Sequence, residues 1–352
     1  MLYFGGPKEK GNGKNLKIWE TLKELMCFKE IYNMERICGK WQRAPWKGNV
    51  REGEGGTRLL GKQIQGDENQ VLVSIVTVTY ENASSIERVI NSVLEQSYSN
   101  LEHIIIDCGS HDGTLQIIRE YENYVSYYVS EHNLEKSDAM NMGLALSAGK
   151  YIAFLDPDGW YTNDAVSLAL DYIQMKKADF SFGDAIGVDS EGASIEVYKG
   201  GVKNGISIFE MQPIPHSTMF VSCDAYEKVG QYDKNLGDAS DYDMELRLMH
   251  KHLRGCKITD SIYYYKVSGD CLSKKAYVDS MCQVLMKYHC MVEKEELLEW
   301  IKFRKYGEGD KKVLERLLNI IISELGNQPS LKEDFIKWLT WNMGQSSVLL
   351  NA

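Results

Sequence analysis

From Val71 onward the chain alternates two hydrophobic periodicities, and this alternation restricts its possible folds more than any other feature. Val71–Tyr80 is almost wholly apolar and β-branched, the composition of a strand buried on both faces. Ser84-Ser85-Ile86-Glu87 then reads as a helix start, and Ile86, Val89, Ile90, Val93 and Leu94 share one helical face. The pattern recurs: strand Leu101–Ile106 and a helix from Thr114 with Leu115, Ile117 and Ile118; strand Tyr124–Val129 and helix Ser137–Leu146; strand Tyr151–Leu155. Strands alternating with helices predict an α/β fold built on a mostly parallel sheet with flanking helices. Such sheets bind ligands beyond the carboxyl ends of their strands. Tyr80-Glu81, Asp107 and Asp156-Pro157-Asp158 therefore fall on one rim.

The last of these loops carries the most chemistry. Tyr151–Leu155 is bounded by Gly149 and by Pro157-Asp158-Gly159, and it ends in two carboxylates one residue apart. Strand alternation lets Asp156 and Asp158 face one point. Two hard oxygen donors suit Mg²⁺ or Mn²⁺, which fills its shell with water and phosphate oxygens. Asp-Pro-Asp-Gly is also ordinary turn chemistry. Taken alone, the loop does not separate the two readings.

Composition bounds the rest. The 352 residues are 43% hydrophobic and 26% charged, a globular composition long enough for one large domain or two ordinary ones. No apolar stretch approaches the roughly 20 residues of a membrane helix, and the start lacks the pattern of a signal peptide. Eight scattered cysteines without a Cys-x-x-Cys pair read as reduced thiols, which predicts a cytoplasmic protein. A net charge of −10 argues against nucleic acid as the partner. That charge is uneven: residues 1–62 hold 13 Lys and Arg against 7 Asp and Glu, which leaves the remainder at −16.

The basic segment reads as a helix over 16–37, with Trp19, Leu22, Leu25 and Met26 on one face, then an extended arm over 40–70 anchored by Trp41 and Trp46. Docking on the main body or on a second copy is the simplest use for it; peripheral contact with an anionic membrane face is the alternative. After about Asp270, apolar residues such as Leu297, Leu298, Leu314 and Leu318 recur at helical spacing. The expected organisation is an N-terminal helix and arm over 1–70, a catalytic α/β domain over 71–270 and a helical region over 271–352. The last could cover an acceptor, form a homodimer or bind an assembly partner.

Several pieces in fixed order resemble a family 2 glycosyltransferase with the GT-A fold. They are Val73–Tyr80, Ser92-Val93-Leu94-Glu95-Gln96-Ser97-Tyr98, Ile106–Thr114, Asp138-Ala139-Met140-Asn141-Met142-Gly143 and Leu155–Tyr161. His216-Ser217-Thr218-Met219-Phe220 and Ala239–Leu248 follow. The resemblance implies that Tyr80 and Asp107 hold the nucleotide base of a nucleotide-sugar donor, with a UDP-sugar the first choice. Asp156 and Asp158 would be the family's DxD motif, holding the diphosphate through Mn²⁺ or Mg²⁺ and offsetting the charge on the leaving group. Asp241 would be the general base that takes the proton of a hydroxyl on a saccharide or lipid-linked acceptor, with inversion at the anomeric carbon. Asp138 and Asn141 would contact the donor. His216 would touch metal, phosphate or acceptor, or else be a histidine satisfied within the fold.

There are departures. Glu81, counted with the donor contacts, stands where the family usually has Asn. Leu134-Glu135-Lys136-Ser137 replaces a usual Lys-Gly, and Gly159 replaces a frequent third carboxylate. The rival of another class is a non-catalytic GT-A-like binding module; intact Asp107, Asp156, Asp158 and Asp241 favour the enzyme. A dehydrogenase is disfavoured because the first turn lacks Gly-x-Gly-x-x-Gly.

Overall fold

The structure, a computed structural model, describes residues 53–61, 70–200, 214–251, 253–267 and 284. All but Val284 belong to one compact unit. The predicted helix over 16–37, the arm over 40–52 with Trp41 and Trp46, and nearly all of the predicted C-terminal helices lie outside the described residues.

The four predicted strands form the parallel heart of a ten-stranded sheet. They are β2 (Val73–Thr79), β3 (Leu101–Asp107), β4 (Tyr127–Ser130) and β5 (Tyr151–Phe154), ordered β4-β3-β2-β5. The short β1 (Glu54–Gly55) adds antiparallel to β4. Beyond β5 the sheet becomes mixed. There β9 (Phe220–Ser222) runs antiparallel to both β5 and β7 (Phe180–Val188). β10 (Gly255–Lys266) is parallel to β7 and carries β6 (Gly159–Tyr161) antiparallel at the far edge. β8 (Ser194–Tyr198) pairs with β7. The run of parallel pairs read from the sequence thus belongs to the first half of the domain, where β2, β3 and β4 are each followed by a helix.

Both sheet faces are covered, as parallel strands require. β2 shows how: Val73 and Ile75 join one core, with Ile86, Val89 and Ile90 of α1 (Ile86–Leu94) and Ile118 of α2 (Thr114–Glu120). Val76 joins the other core, with Ala139, Met140 and Leu144 of α3 (Lys136–Leu146). Gly143 lets α3 lie on β2, because a Cβ there would overlap the Val76 side chain. α4 (Ala165–Lys176) packs on the first core, while α5 (Cys223–Val229) and α6 (Ser240–His250) contribute to the second. Ser85 is the N-cap of α1 as its sequence suggested, but it makes no side-chain capping bond. Its hydroxyl instead reaches back to the Asn82 carbonyl at 3.4 Å.

The amino ends of the parallel strands are tied together by one buried carboxylate. Glu102, fully buried on β3, accepts from Ser74 Oγ on β2 and from the Arg58 guanidinium. It also accepts from the backbone N–H groups of Ala148 (2.6 Å) and Gly149 (3.3 Å), just before β5. Arg58 donates in addition to the Leu146 carbonyl at 2.9 Å. Replacing Glu102 with Ala takes the acceptor from Ser74 Oγ and the Ala148 N–H and leaves Arg58 with only the Leu146 carbonyl, and should cost about 3 kcal/mol in a urea titration. A loss below about 1 kcal/mol would mean that the hub is dispensable.

Candidate active site

Register sets the rim. Thr79 pairs with Asp107 across β2 and β3, and Val76 pairs with Phe154 across β2 and β5. Asp156 therefore follows at about the height of Val78. The three predicted loops do open at one edge.

The first two loops interlock. The Glu81 N–H donates to Ser110 Oγ (2.8 Å), and the His111 N–H donates back to Glu81 Oε1 (2.9 Å). Ala83 N–H donates to Asp112 Oδ2 (2.9 Å), and Asn82 N–H to Thr114 Oγ1 (2.8 Å). The Thr114 hydroxyl, with the backbone N–H groups of Ala83, Thr114 and Asp112 itself, holds the Asp112 carboxyl below its ordinary pKa. Glu81, at φ +56°, thus braces the neighbouring loop with its carboxylate. Asp107 is 1% exposed and accepts from Ser110 N–H and Oγ and from Ser130 Oγ, so it organises the loop that follows β3. Tyr80 stands apart from this lattice, 58% exposed at the rim. Ser110 and Asp112 were missed in the sequence; Asp-Gly-Thr before a helix was their available signal.

The acidic loop is held from below. Asp156 N–H donates to Ser217 Oγ (3.0 Å), and Tyr161 donates its hydroxyl to the Ser217 carbonyl (2.8 Å). The short 3₁₀ turn His216–Thr218 is thus a shelf under Asp156. Gly159 lies against the Tyr263 ring, where a Cβ would overlap it, which leaves no room for a third carboxylate. Burial and the neighbouring Asp156 charge push the Asp158 carboxyl up to about 6. Asp158 still touches solvent, so its exposed side favours repulsion from Asp156 as the larger influence.

The far wall comes from α3, the 3₁₀ segment Lys234–Ala239 and α6. Asp241 lies in the first turn of α6, 3.9 Å (Oδ2) from Lys136 Nζ at the start of α3. Desolvation opposes the charge on Lys136, but Asp241, Asp156, Asp238 and Asp158 outweigh it and raise its pKa. The two walls therefore share one electrostatic cleft. His216 is buried, with Nε2 2.9 Å from the Tyr232 hydroxyl and its ring 5.5 Å from Phe154. Burial lowers its pKa against the pull of Asp241 and Asp156, so it is a neutral imidazole between the two carboxylates. Asn141 clamps Tyr232, donating to its carbonyl (2.9 Å) and accepting from its N–H (2.8 Å). Asp138 is exposed on α3. Arg247 is buried against Asp243 (2.8 Å).

Glu245, one turn beyond Asp241, is fully buried and, among the described residues, accepts only a 3.3 Å bond from Ile214 N–H. Burial, and then the Asp241 charge, hold its carboxyl protonated well above the usual range. A cavity of about 810 Å³ lies between α1 and β6, lined by Ser84, Arg88, Asn91, Trp160 and Tyr264 among others. None of the predicted site residues lines it. Trp160 there stacks on Tyr264 (5.8 Å) with the Arg88 guanidinium 4.5 Å from its ring centre.

A Rossmann-like half-sheet with an acidic rim, continued by mixed strands and an aspartate-bearing helix, defines the class: a GT-A glycosyltransferase fold. TarS from S. aureus shares it, with a TM-score of 0.50 at 17% identity over 73% of this chain and 48% of that one. Residues 74–226 match the profile of glycosyl transferase family 2. TuaG of Bacillus subtilis, named for teichuronic acid biosynthesis, is 35% identical over 114 residues, 32% of this chain and 45% of TuaG. WfaP of Escherichia coli is 26% identical over 224 residues, 60% of this chain and 84% of WfaP. Its name is UDP-Glc:alpha-D-GlcNAc-diphosphoundecaprenol beta-1,3-glucosyltransferase.

The buried acid gives a pH test. A carboxyl whose folded pKa lies above its unfolded value favours folding fully at low pH, and that contribution is lost as pH rises from the unfolded value toward the folded one. Glu245→Gln removes this titration. Its stability relative to wild type should therefore rise between pH 5 and pH 8, read by urea denaturation at each pH. A difference that stays flat with pH would show that Glu245 is ionised in the folded protein.

Proposed function

We propose that the chain is an inverting glycosyltransferase, moving a sugar from a nucleoside-diphosphate donor to a hydroxyl of a saccharide or lipid-linked acceptor. The observation that carries this is the cleft itself: the loop with Asp156 and Asp158 opens at the carboxyl edge of β5, and across it Asp241 Oδ2 lies 3.9 Å from Lys136 Nζ, whose pKa all three aspartates raise. Tyr80, exposed at the edge, offers a ring for base stacking, and the Asp107 loop would border the base. Asp138, exposed on α3, is the remaining donor-side group. Glu81, Asn141 and His216 support from behind: the first braces a loop, and the other two meet at Tyr232.

Asp156 and Asp158 fit a divalent cation by their chemistry. Both are hard carboxylates, and the raised pKa of Asp158 reports negative charge without full compensation. Among the described residues no group of three or more His, Cys, Asp or Glu forms a cage, so donor phosphates and water would complete the shell. Mn²⁺ or Mg²⁺ bound there would stabilise the charge that develops on the departing diphosphate. Asp241 does the protein's own proton work. It takes the acceptor hydroxyl proton as the oxygen attacks opposite the leaving group, and α6 holds its carboxylate in place. The UDP-glucose named for WfaP supports a UDP-sugar donor. No described helix is long and apolar enough to cross a membrane. We place the enzyme in the cytoplasm, reaching lipid-linked acceptors by peripheral contact.

Calorimetric titration of UDP, GDP, CDP and dTDP, with and without Mn²⁺, tests the reading. One nucleotide should bind in a metal-dependent way, and Asp158→Ala should abolish that dependence; a folded protein that binds none of the four would reject the assignment. Asp241→Asn should still bind donor and lose about 10²–10⁴ in kcat. With Asp158 titrating near 6, Mn²⁺ binding followed by electron paramagnetic resonance should weaken about tenfold from pH 7 to pH 5, because protons displace the metal.

A further inference from the structure

Lys136 has no counterpart in the pieces that marked the domain, and the structure puts it at the centre of the cleft. It is the first residue of α3. Its neighbour Ser137 pins that turn to the far wall: the hydroxyl lies 3.0 Å from Ser240 Oγ and donates to the Gly237 carbonyl at 3.3 Å. This sets Lys136 Nζ 3.9 Å from Asp241 Oδ2.

The details of that pair matter. At 3.9 Å it is an ion pair without a hydrogen bond. Among the described residues no hydrogen bond uses the three donors of the ammonium. The Lys136 side chain is 41% exposed, whereas that of Asp241 is 11% exposed. The lysine thus presents unfilled donors to the open cleft, with the acidic loop on one side and the base on the other. A purely structural pair would be expected to close to hydrogen-bonding distance, as Arg247 and Asp243 do at 2.8 Å.

We propose that Lys136 is a ligand of the donor diphosphate that exchanges partners, holding Asp241 in the donor-free enzyme and the diphosphate oxygens in the donor complex. This rests on the glycosyltransferase reading above. A nucleoside diphosphate brings further negative charge into a cleft that already holds Asp156, Asp158 and Asp241, and an ammonium at its centre offsets part of it. Lysine suits an exchange, since its flexible stem carries three rotatable donors rather than a rigid fork. When the ammonium turns to phosphate, it gives up its 3.9 Å pairing with Asp241 Oδ2.

The test takes the nucleoside diphosphate selected by the titration above, and its monophosphate, into wild type, Lys136→Met and Lys136→Arg at constant Mn²⁺. Wild type should prefer the diphosphate. Lys136→Met should lose about tenfold or more of diphosphate affinity while the monophosphate shifts far less. Lys136→Arg should restore most of the preference. In turnover assays the Met variant should raise the donor KM and leave the acceptor KM unchanged. An unchanged diphosphate-to-monophosphate ratio in a Met variant with wild-type melting temperature overturns the assignment of Lys136 alone. If wild type binds none of the four diphosphates, the glycosyltransferase reading falls, and the lysine's role with it.

Discussion

The site depends on a carboxylate at the opposite end of the sheet. Glu102 joins β2, β3, the segment before β5 and Arg58 through bonds that leave no freedom to slip. A shift of one residue in a parallel sheet moves every side chain to the other face. It would also change the height at which each strand ends. Fixing the strands at their amino ends places Thr79, Asp107 and Phe154 in known register at the other, so the loops beyond them open on a common edge. A buried ion pair is weak evidence for stability in itself, since desolvation offsets much of the attraction. Here its clearer consequence is alignment, because four separate chain segments converge on one residue.

The rim converts that alignment into a preorganised surface. The loops after β2 and β3 are cross-linked by Glu81, Ser110, Asp112 and Thr114, most of them in bonds to backbone N–H groups. Those bonds fill the polar groups of both loops and leave Tyr80 to project. Preorganisation of this kind lowers the entropy lost when a ligand binds. The acidic wall is treated likewise, with the His216–Thr218 turn fixing Asp156 through Ser217. Tyr232 then joins that turn to α3, by accepting or donating with His216 and by its backbone bonds to Asn141.

Local sequence reveals what depends on neighbours in the chain and conceals what depends on distant partners. The strands β2 to β5 and their helices were legible because burial on both faces leaves long apolar runs, and each run ends at its loop. Asp156 and Asp158 were legible as a pair from their spacing, although both lie in the loop between β5 and β6 and not on the strand itself. Glu81, Asp107 and Asn141 also looked like ligand contacts from their positions. Their carboxylates and amide are also engaged by His111, Ser130 and Tyr232, which stand 30, 23 and 91 residues away and could not be read locally. Lys136 was passed over for the same reason. Beside Glu135 it reads as a solvated helix start, and only the fold sets Asp241 in front of it. The mixed half of the sheet was harder still, because β9 and β6 are three residues each and too short to carry a period.

The residues on the two walls differ in what burial does to them, and the difference sorts their roles. Glu245 and His216 are enclosed and neutral, so they shape the cleft without adding charge to it. Asp158 and Lys136 keep contact with water, and both are displaced toward protonation, Asp158 by burial and the Asp156 charge, Lys136 by Asp241, Asp156, Asp238 and Asp158. An acid pushed up and a base pushed up at one place describe a local field that is too negative for the groups present. Such a field is relieved by adding cations, and an anion can enter only together with them or against a lysine already in place. A ligand that arrives as a polyanion with its own counter-charge would meet both conditions. The proposed nucleoside diphosphate with a divalent metal is such a ligand, and the exchange proposed for Lys136 would give it one ammonium between the acidic loop and Asp241.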